Sequence, residues 1–222
     1  MFPYHILVTL DRNYLKVLSV MLYSLSQSDP EGVYTVYVVN NTLTEEDFAS
    51  LSALLPRTEL VNVRVPEDLL QNAPVSDRYP TEMYYRLFAA RYLPQQLERI
   101  LYLDPDLVVL HSLRSLYQID FDSKLFAAAS HIESRTFRRR LHLSEHAKYL
   151  NSGVMMMNLA LLRKESPQTI IDYIQSHKAT LLLPDQDVLN ALYADRTVPL
   201  DPLVYNLGEK YLRLKNLHRR KN

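Results

Sequence analysis

Two carboxylates two residues apart, Asp104 and Asp106, interrupt the apolar run Ile100–Leu110 (ILYLDPDLVVL). Pro105 between them lacks an N–H and disfavours helix at Asp104, so the strand is expected to end near Leu103. If the chain stays extended through the triplet, residues i and i+2 point to one side and the two acids converge. Converging anions repel unless a cation separates them. Mg²⁺ or Mn²⁺ suits such oxygens, with one or two carboxylates completed by phosphates of a ligand. Taken alone, the triplet reads first as a turn bearing solvated acids and second as a cation site.

A second constellation is His142-Leu143-Ser144-Glu145-His146, which matches H-x-x-E-H. On a helix, His142 and His146 would share a face and could hold zinc, making a zinc hydrolase the remote alternative. The polar and basic surroundings, with no third ligand evident, favour a surface segment. The neighbouring arginines Arg135, Arg138, Arg139 and Arg140 would border an acceptor or be solvated.

Composition removes other classes. Glycine occurs three times, at 32, 153 and 208, so no glycine-rich phosphate loop is present. Side chains or a metal must then offset any phosphate charge. There is no cysteine, so disulfides and thiolate metal sites are excluded. Lys+Arg and Asp+Glu both number 25, which gives no pull toward nucleic acid. Six basic residues and no acid follow Glu209. The end of that stretch, YLRLKNLHRRKN, could lie on an anionic membrane surface or fray. No apolar run reaches bilayer length and no leader is read at the start, so the expected location is cytoplasmic, with peripheral membrane contact through the tail.

The elements that must position the acids follow from periodicity. Strands are expected over Tyr4–Thr9, Val33–Val39, Leu60–Val65, Arg99–Leu103, Lys124–Ala129, Tyr149–Asn158 and Val198–Leu200. Helices are expected over Asn13–Ser26, Glu45–Leu54, Thr81–Tyr92, Gln168–His177 and Asp185–Tyr193, with Thr44 and Asp47 forming a capping box. Alternating strand and helix predicts one α/β domain, residues 1–207, followed by the basic tail 208–222. Its mostly parallel sheet would be covered on both faces. The ligand crevice of such sheets lies at the strand carboxyl ends, where Asp11 and the Asp104–Asp106 triplet fall.

Five segments in order carry a resemblance: VTLDRNY (8–14), YYRLFAARYLP (84–94), LYLDPD (101–106), YLNSGVMMMNL (149–159) and LPDQDVLNAL (183–192). Together they resemble glycosyltransferase family 8, the group of bacterial lipopolysaccharide galactosyl- and glucosyltransferases. The resemblance spans about residues 4–206 and implies a GT-A-like, Rossmann-like fold. It implies a UDP-hexose donor, UDP-galactose or UDP-glucose, with Mn²⁺ or Mg²⁺ as cofactor and a saccharide or glycolipid acceptor. By that resemblance Thr9, Asp11, Asn13 and Tyr14 would hold the uridine, with Tyr14 stacked on the base. Arg86 would meet the donor sugar or its phosphates, and Asp104 and Asp106 would bind the metal. Asn151 and Ser152 would reach the sugar, with Gly153 permitting close approach. Asp185 and Gln186 would stand at the reaction centre of a retaining transfer. An amide is a poor nucleophile, so the implied chemistry is same-face substitution within an ion pair or weak assistance by Gln186. The sequence departs from the family pattern in having no tryptophan and no histidine-glycine-lysine-proline segment. His218 has neither the glycine nor the lysine-proline that would follow it. A non-catalytic sugar-nucleotide-binding protein is therefore the alternative.

Overall fold

The computed structural model describes residues 3–53, 55, 57–66, 82–132, 135–145 and 147–208. Seven strands form one sheet: β1 (Pro3–Thr9), β2 (Val33–Val39), β3 (Thr58–Val63), β4 (Arg99–Leu103), β5 (Phe126–Ile132), β6 (Tyr149–Asn158) and β7 (Thr197–Leu200). The helices are α1 (Leu15–Ser28), α2 (Glu45–Ser52), α3 (Glu82–Tyr85), α4 (Ala89–Tyr92), α5 (Arg114–Tyr117), α6 (Arg135–Arg140), α7 (Leu159–Leu162), α8 (Pro167–His177) and α9 (Pro184–Tyr193). The capping box at α2 is present, with Thr44 bonded to the Asp47 N–H and Asp47 returning to Thr44 N–H.

The strand order is β3-β2-β1-β4-β6-β5-β7. β1 pairs in parallel with both β2 and β4, and β5 with β7, whereas β6 runs antiparallel to β4 and β5. Six strands therefore share one direction and β6 opposes them. The expected mostly parallel α/β sheet is what the chain forms. The order reverses between β1 and β4, which opens a crevice at their carboxyl ends.

Both faces of the sheet are covered, which is why β1, β2 and β4 read as nearly continuous apolar runs. Ile6 and Val8 of β1 pack with Leu18, Leu22 and Leu25 of α1 on one face. Leu7, Ile100 and Tyr102 pack with Tyr84, Phe88, Val188 and Leu189 on the other.

The differences from the sequence reading are local. β3 begins at Thr58 and ends at Val63, two residues earlier than the expected Leu60–Val65. The helix expected over 81–92 is broken by a 3₁₀ turn at Arg86–Phe88, and Thr81 lies outside the described residues, as does Leu54. The chain is not extended through Asp106: Pro105 and Asp106 form a turn, for which the fixed φ of proline is suited. α5, α6 and α7 were not anticipated; each has six residues or fewer, too short for a 3.6-residue period to register. The basic tail after Gly208 lies outside the described residues.

Candidate active site at the carboxyl edge of the sheet

Strand alternation sets the site's first contact. Tyr102 points to the face covered by α3 and α9, and Asp104, two residues on, follows it. The Tyr102 hydroxyl donates to Asp104 Oδ1 at 2.7 Å and lies 3.3 Å from the Thr9 hydroxyl. The ends of β1 and β4 are thus joined through one buried phenol.

Arg86 projects from the 3₁₀ turn into the same space. Its Nη1 donates to Asp104 Oδ1 at 2.8 Å, and its Nε lies 3.3 Å from Asp185 Oδ2. The guanidinium sits over the Tyr102 ring, 4.3 Å from its centre. Nε also donates to the Met83 carbonyl at 3.1 Å. A lone charge in an apolar helix needs a partner, and this one has two carboxylates and a π face. Burial pulls the Arg86 pKa down, but Asp104, Tyr102 and Asp185 outweigh it and hold the group above its ordinary value. Asp185 is pushed up, first by burial and then by Asp104, with Arg86 opposing.

The reversed direction of β6 delivers the next residues. Because β6 is antiparallel to β4, its first residues stand at the carboxyl edge, and Asp104 N–H donates to the Gly153 carbonyl at 2.8 Å. Ser152 is buried; its hydroxyl donates to Asp185 Oδ2 at 3.1 Å and its N–H to Gln186 Oε1 at 3.2 Å. Asn151 Oδ1 accepts from Gly153 N–H at 2.8 Å and from Asn206 Nδ2 at 2.6 Å.

Gly153 does not have a positive φ; its smallness is the point. A Cβ there would lie 2.6 Å from Asp104 Oδ2 and 3.0 Å from Asn151 Oδ1. Asp104 cannot rotate away without giving up Arg86 or Tyr102. We expect Gly153→Ala to cost about 1–3 kcal/mol, as overpacking does, and to weaken donor binding. Thermal denaturation with and without donor measures both, and an unchanged midpoint and affinity would refute the steric argument.

At the other end, Asp11 caps the 3₁₀ turn Arg12–Tyr14, accepting the Asn13 N–H at 2.8 Å. Its second oxygen accepts Asn13 Nδ2 at 3.2 Å. Tyr14 is half exposed. Thr9, Asp11, Tyr14, Arg86, Asp104 and Asp106 line one cavity of about 220 Å³. Asn13 is exposed and is not part of that lining, while Asn151, Ser152, Asp185 and Gln186 adjoin it through Arg86 and Gly153. Glu82 and Met83 line it too, and sequence reading did not single them out. Tyr102 and Asn206 were also missed. Tyr102 could have been found from its i, i+2 relation to Asp104, whereas Asn206 carries no sequence signal.

Could these residues hold a divalent cation? Asp104 Oδ1 is committed to Arg86 and Tyr102, whereas Oδ2, which stands against Gly153, accepts no hydrogen bond among the described residues. Asp106 is exposed as a residue, but its carboxyl is partly screened from water by the cavity wall, and this desolvation together with the charge of Asp104 raises its pKa. That repulsion is relieved by a cation between them. Among the described residues no three His, Cys, Asp or Glu side chains converge as a metal cluster. The pair fits a cation completed by ligand oxygens and water, not an all-protein cage.

The zinc alternative loses its geometry. α6 ends at Arg140, and His142 has φ 53°, so the helical face that zinc would require is not formed there; His146 lies outside the described residues. Arg140 is not merely solvated: its Nη2 pairs with Asp187 Oδ1 at 2.7 Å.

The comparisons with known proteins agree with this architecture. The sequence is 27% identical over 205 residues to lipopolysaccharide 1,2-glucosyltransferase of Escherichia coli, covering 89% of this chain and 60% of that protein. It is 26% identical over 205 residues to general stress protein A of Bacillus subtilis, covering 89% and 72%. The chain thus spans about 60% of the length of the former relative. Among solved structures, galactosyltransferase LgtC in complex with donor and acceptor sugar analogs superposes with a TM-score of 0.80 at 21% identity, covering 89% of this chain and 73% of that one. GlyE of Streptococcus pneumoniae gives a TM-score of 0.71 at 20% identity, covering 98% and 50%. No helix among the described residues is long and apolar enough to cross a membrane. The Glycosyl transferase family 8 model matches residues 5–221, nearly the whole sequence, and the chain belongs to that family.

Proposed function

We propose that the chain is a retaining hexosyltransferase that moves a sugar from a UDP donor to a saccharide or glycolipid acceptor. The observation that carries this reading is the single cavity shared by Tyr14, Asp11, Arg86 and the Asp104–Asp106 pair. It sets an aromatic face, hydrogen-bonding groups, a cation and two carboxylates along one edge, the sequence of chemistries that base, ribose and diphosphate require.

In this reading Asp11 and Tyr14 hold the uridine, and Thr9, tied to Tyr102, fixes the floor beneath it. Asp104 and Asp106 would hold Mg²⁺ or Mn²⁺, which supplies Lewis-acid stabilisation of the departing diphosphate. Arg86 faces the same charge from the protein side, already oriented by Asp104, Asp185 and Met83. Asp185, held by Arg86 and Ser152, orients sugar hydroxyls. Reaction breaks the bond between the anomeric carbon and the phosphate oxygen, whose electron pair leaves with UDP. The acceptor oxygen bonds that carbon on the same face, and its proton passes to the departing phosphate oxygen. Gln186 Oε1 is engaged by the Ser152 N–H. That engagement favours a positioning role over nucleophilic attack.

The base assignment has a direct test. Calorimetric titration should give UDP an affinity at least tenfold above ADP and GDP, because Asp11 and Tyr14 stand together at the end of β1 on the wall of the donor cavity. Equal affinities would remove the uridine assignment.

A further inference from the structure

Tyr102 is completely buried and is not among the residues that line the donor cavity, yet it touches three that are. Its hydroxyl donates to Asp104 Oδ1 at 2.7 Å, the Thr9 hydroxyl lies 3.3 Å from it, and the Arg86 guanidinium sits 4.3 Å from the centre of its ring. A phenol has one proton to give. Asp104 Oδ1 also accepts from Arg86 Nη1, so it acts as a carboxylate oxygen and takes that proton. The Tyr102 oxygen is then left as an acceptor, and Thr9 must be the donor to it. The row therefore runs one way, from Thr9 through Tyr102 to Asp104.

That direction has a consequence for Asp104. The terminal torsion of an aspartate is broad, and a carboxylate held by one donor can turn about it. Here two donors, Arg86 and Tyr102, hold the same oxygen, which fixes the carboxylate and leaves Oδ2 without a hydrogen bond among the described residues. The Tyr102 ring meanwhile supports the face of the guanidinium. One side chain thus holds both members of the Arg86–Asp104 pair, themselves 2.8 Å apart, from behind the cavity wall.

We propose that Tyr102 is a positioning residue for the diphosphate end of the donor: its hydroxyl sets the rotation of Asp104, and its ring sets the plane of Arg86. The inference rests on the donor reading above, which puts the diphosphate against that pair.

The test is calorimetric titration of the full chain with uridine and with UDP in excess Mn²⁺, the ratio of the two affinities reporting on the diphosphate. Tyr102→Phe keeps the ring and removes the hydroxyl. It should leave uridine binding within twofold of the parent and weaken UDP at least fivefold. Tyr117→Phe is the control. It removes another buried hydroxyl, which donates to the His5 carbonyl near the start of β1, and should keep the parental ratio. Should Tyr102→Phe fail to fold, Thr9→Val, which strips the phenol of its donor, should lower the ratio at least twofold, with Thr9→Ser restoring it. Equal losses of uridine and UDP binding in Tyr102→Phe would make the hydroxyl purely structural and overturn the inference. So would an unchanged ratio in whichever of the two variants folds, or an equal fall in the ratio for Tyr117→Phe. In each of those cases the parent's preference for UDP would leave the donor reading standing. A parent that binds uridine and UDP alike would instead count against that reading, and the inference would fall with it.

Discussion

Asp104→Asn is expected to lower sugar transfer by at least a hundredfold while the protein stays folded. The side chain is about a third exposed, and an asparagine Oδ1 can still accept from Tyr102 and Arg86, so the packing survives. What is lost is charge. Metal-assisted stabilisation of a leaving group is worth several kcal/mol, and each 1.4 kcal/mol is about tenfold in rate. Arg86 is left with Asp185 as its one carboxylate partner at the site, so its position over the diphosphate also loosens. Gln186→Ala should cost far less, on the order of 1 kcal/mol for a hydrogen bond, with Asp185→Ala between the two through lost orientation. Steady-state turnover of the preferred UDP-sugar across a Mn²⁺ titration orders the three. If Gln186→Ala proved as damaging as Asp104→Asn, direct participation of Gln186 would replace the ion-pair account.

The second large effect concerns stability. Asp187 is fully buried, and its Oδ1 meets Arg140 Nη2 at 2.7 Å and the Tyr149 hydroxyl at 2.6 Å. Its Oδ2 accepts the N–H groups of Leu182 and Leu183, at 2.7 and 3.1 Å. Asp187→Ala would leave a partly buried guanidinium, a phenol and two amides without their acceptor. Breaking a buried ion pair in this way costs about 3–5 kcal/mol. Asp187→Asn should recover part of it, because an amide oxygen still accepts. Chemical denaturation of the three proteins gives the comparison. A loss below about 1 kcal/mol for the alanine variant would mean that the pair holds α6 in place without supporting the core.

Asp187 also illustrates what the sequence makes legible. Its neighbours Asp185 and Gln186 stand out by resemblance, but nothing in the DQD triplet separates an acid facing the site from one folded inward. On a helix, 185 and 187 point in different directions, and only the partner on α6 reveals which is structural. The strands were readable because both sheet faces are covered and the apolar runs are uninterrupted. The direction of β6 was not, since Tyr149–Asn158 has the same pattern read either way, and that direction brings Ser152 and Gly153 to Asp104. The partner of Arg86 was implied by burying a charge among Leu87 and Phe88. That it would be two carboxylates at once, with Tyr102 beneath, depends on β4 and the turn before α4 meeting in space.

The hydrogen bond from Asp104 N–H to the Gly153 carbonyl closes the β4–β6 ladder inside the site itself. The residues it joins are 49 positions apart, and those it gathers around them extend from Thr9 to Asn206. No single foldon therefore contains the site, and it cannot assemble ahead of the sheet. The exchange of that one amide with solvent is a clock for the whole constellation: it opens when β4 and β6 part, and whatever a donor adds to the stability of the closed state is felt by the sheet as a whole.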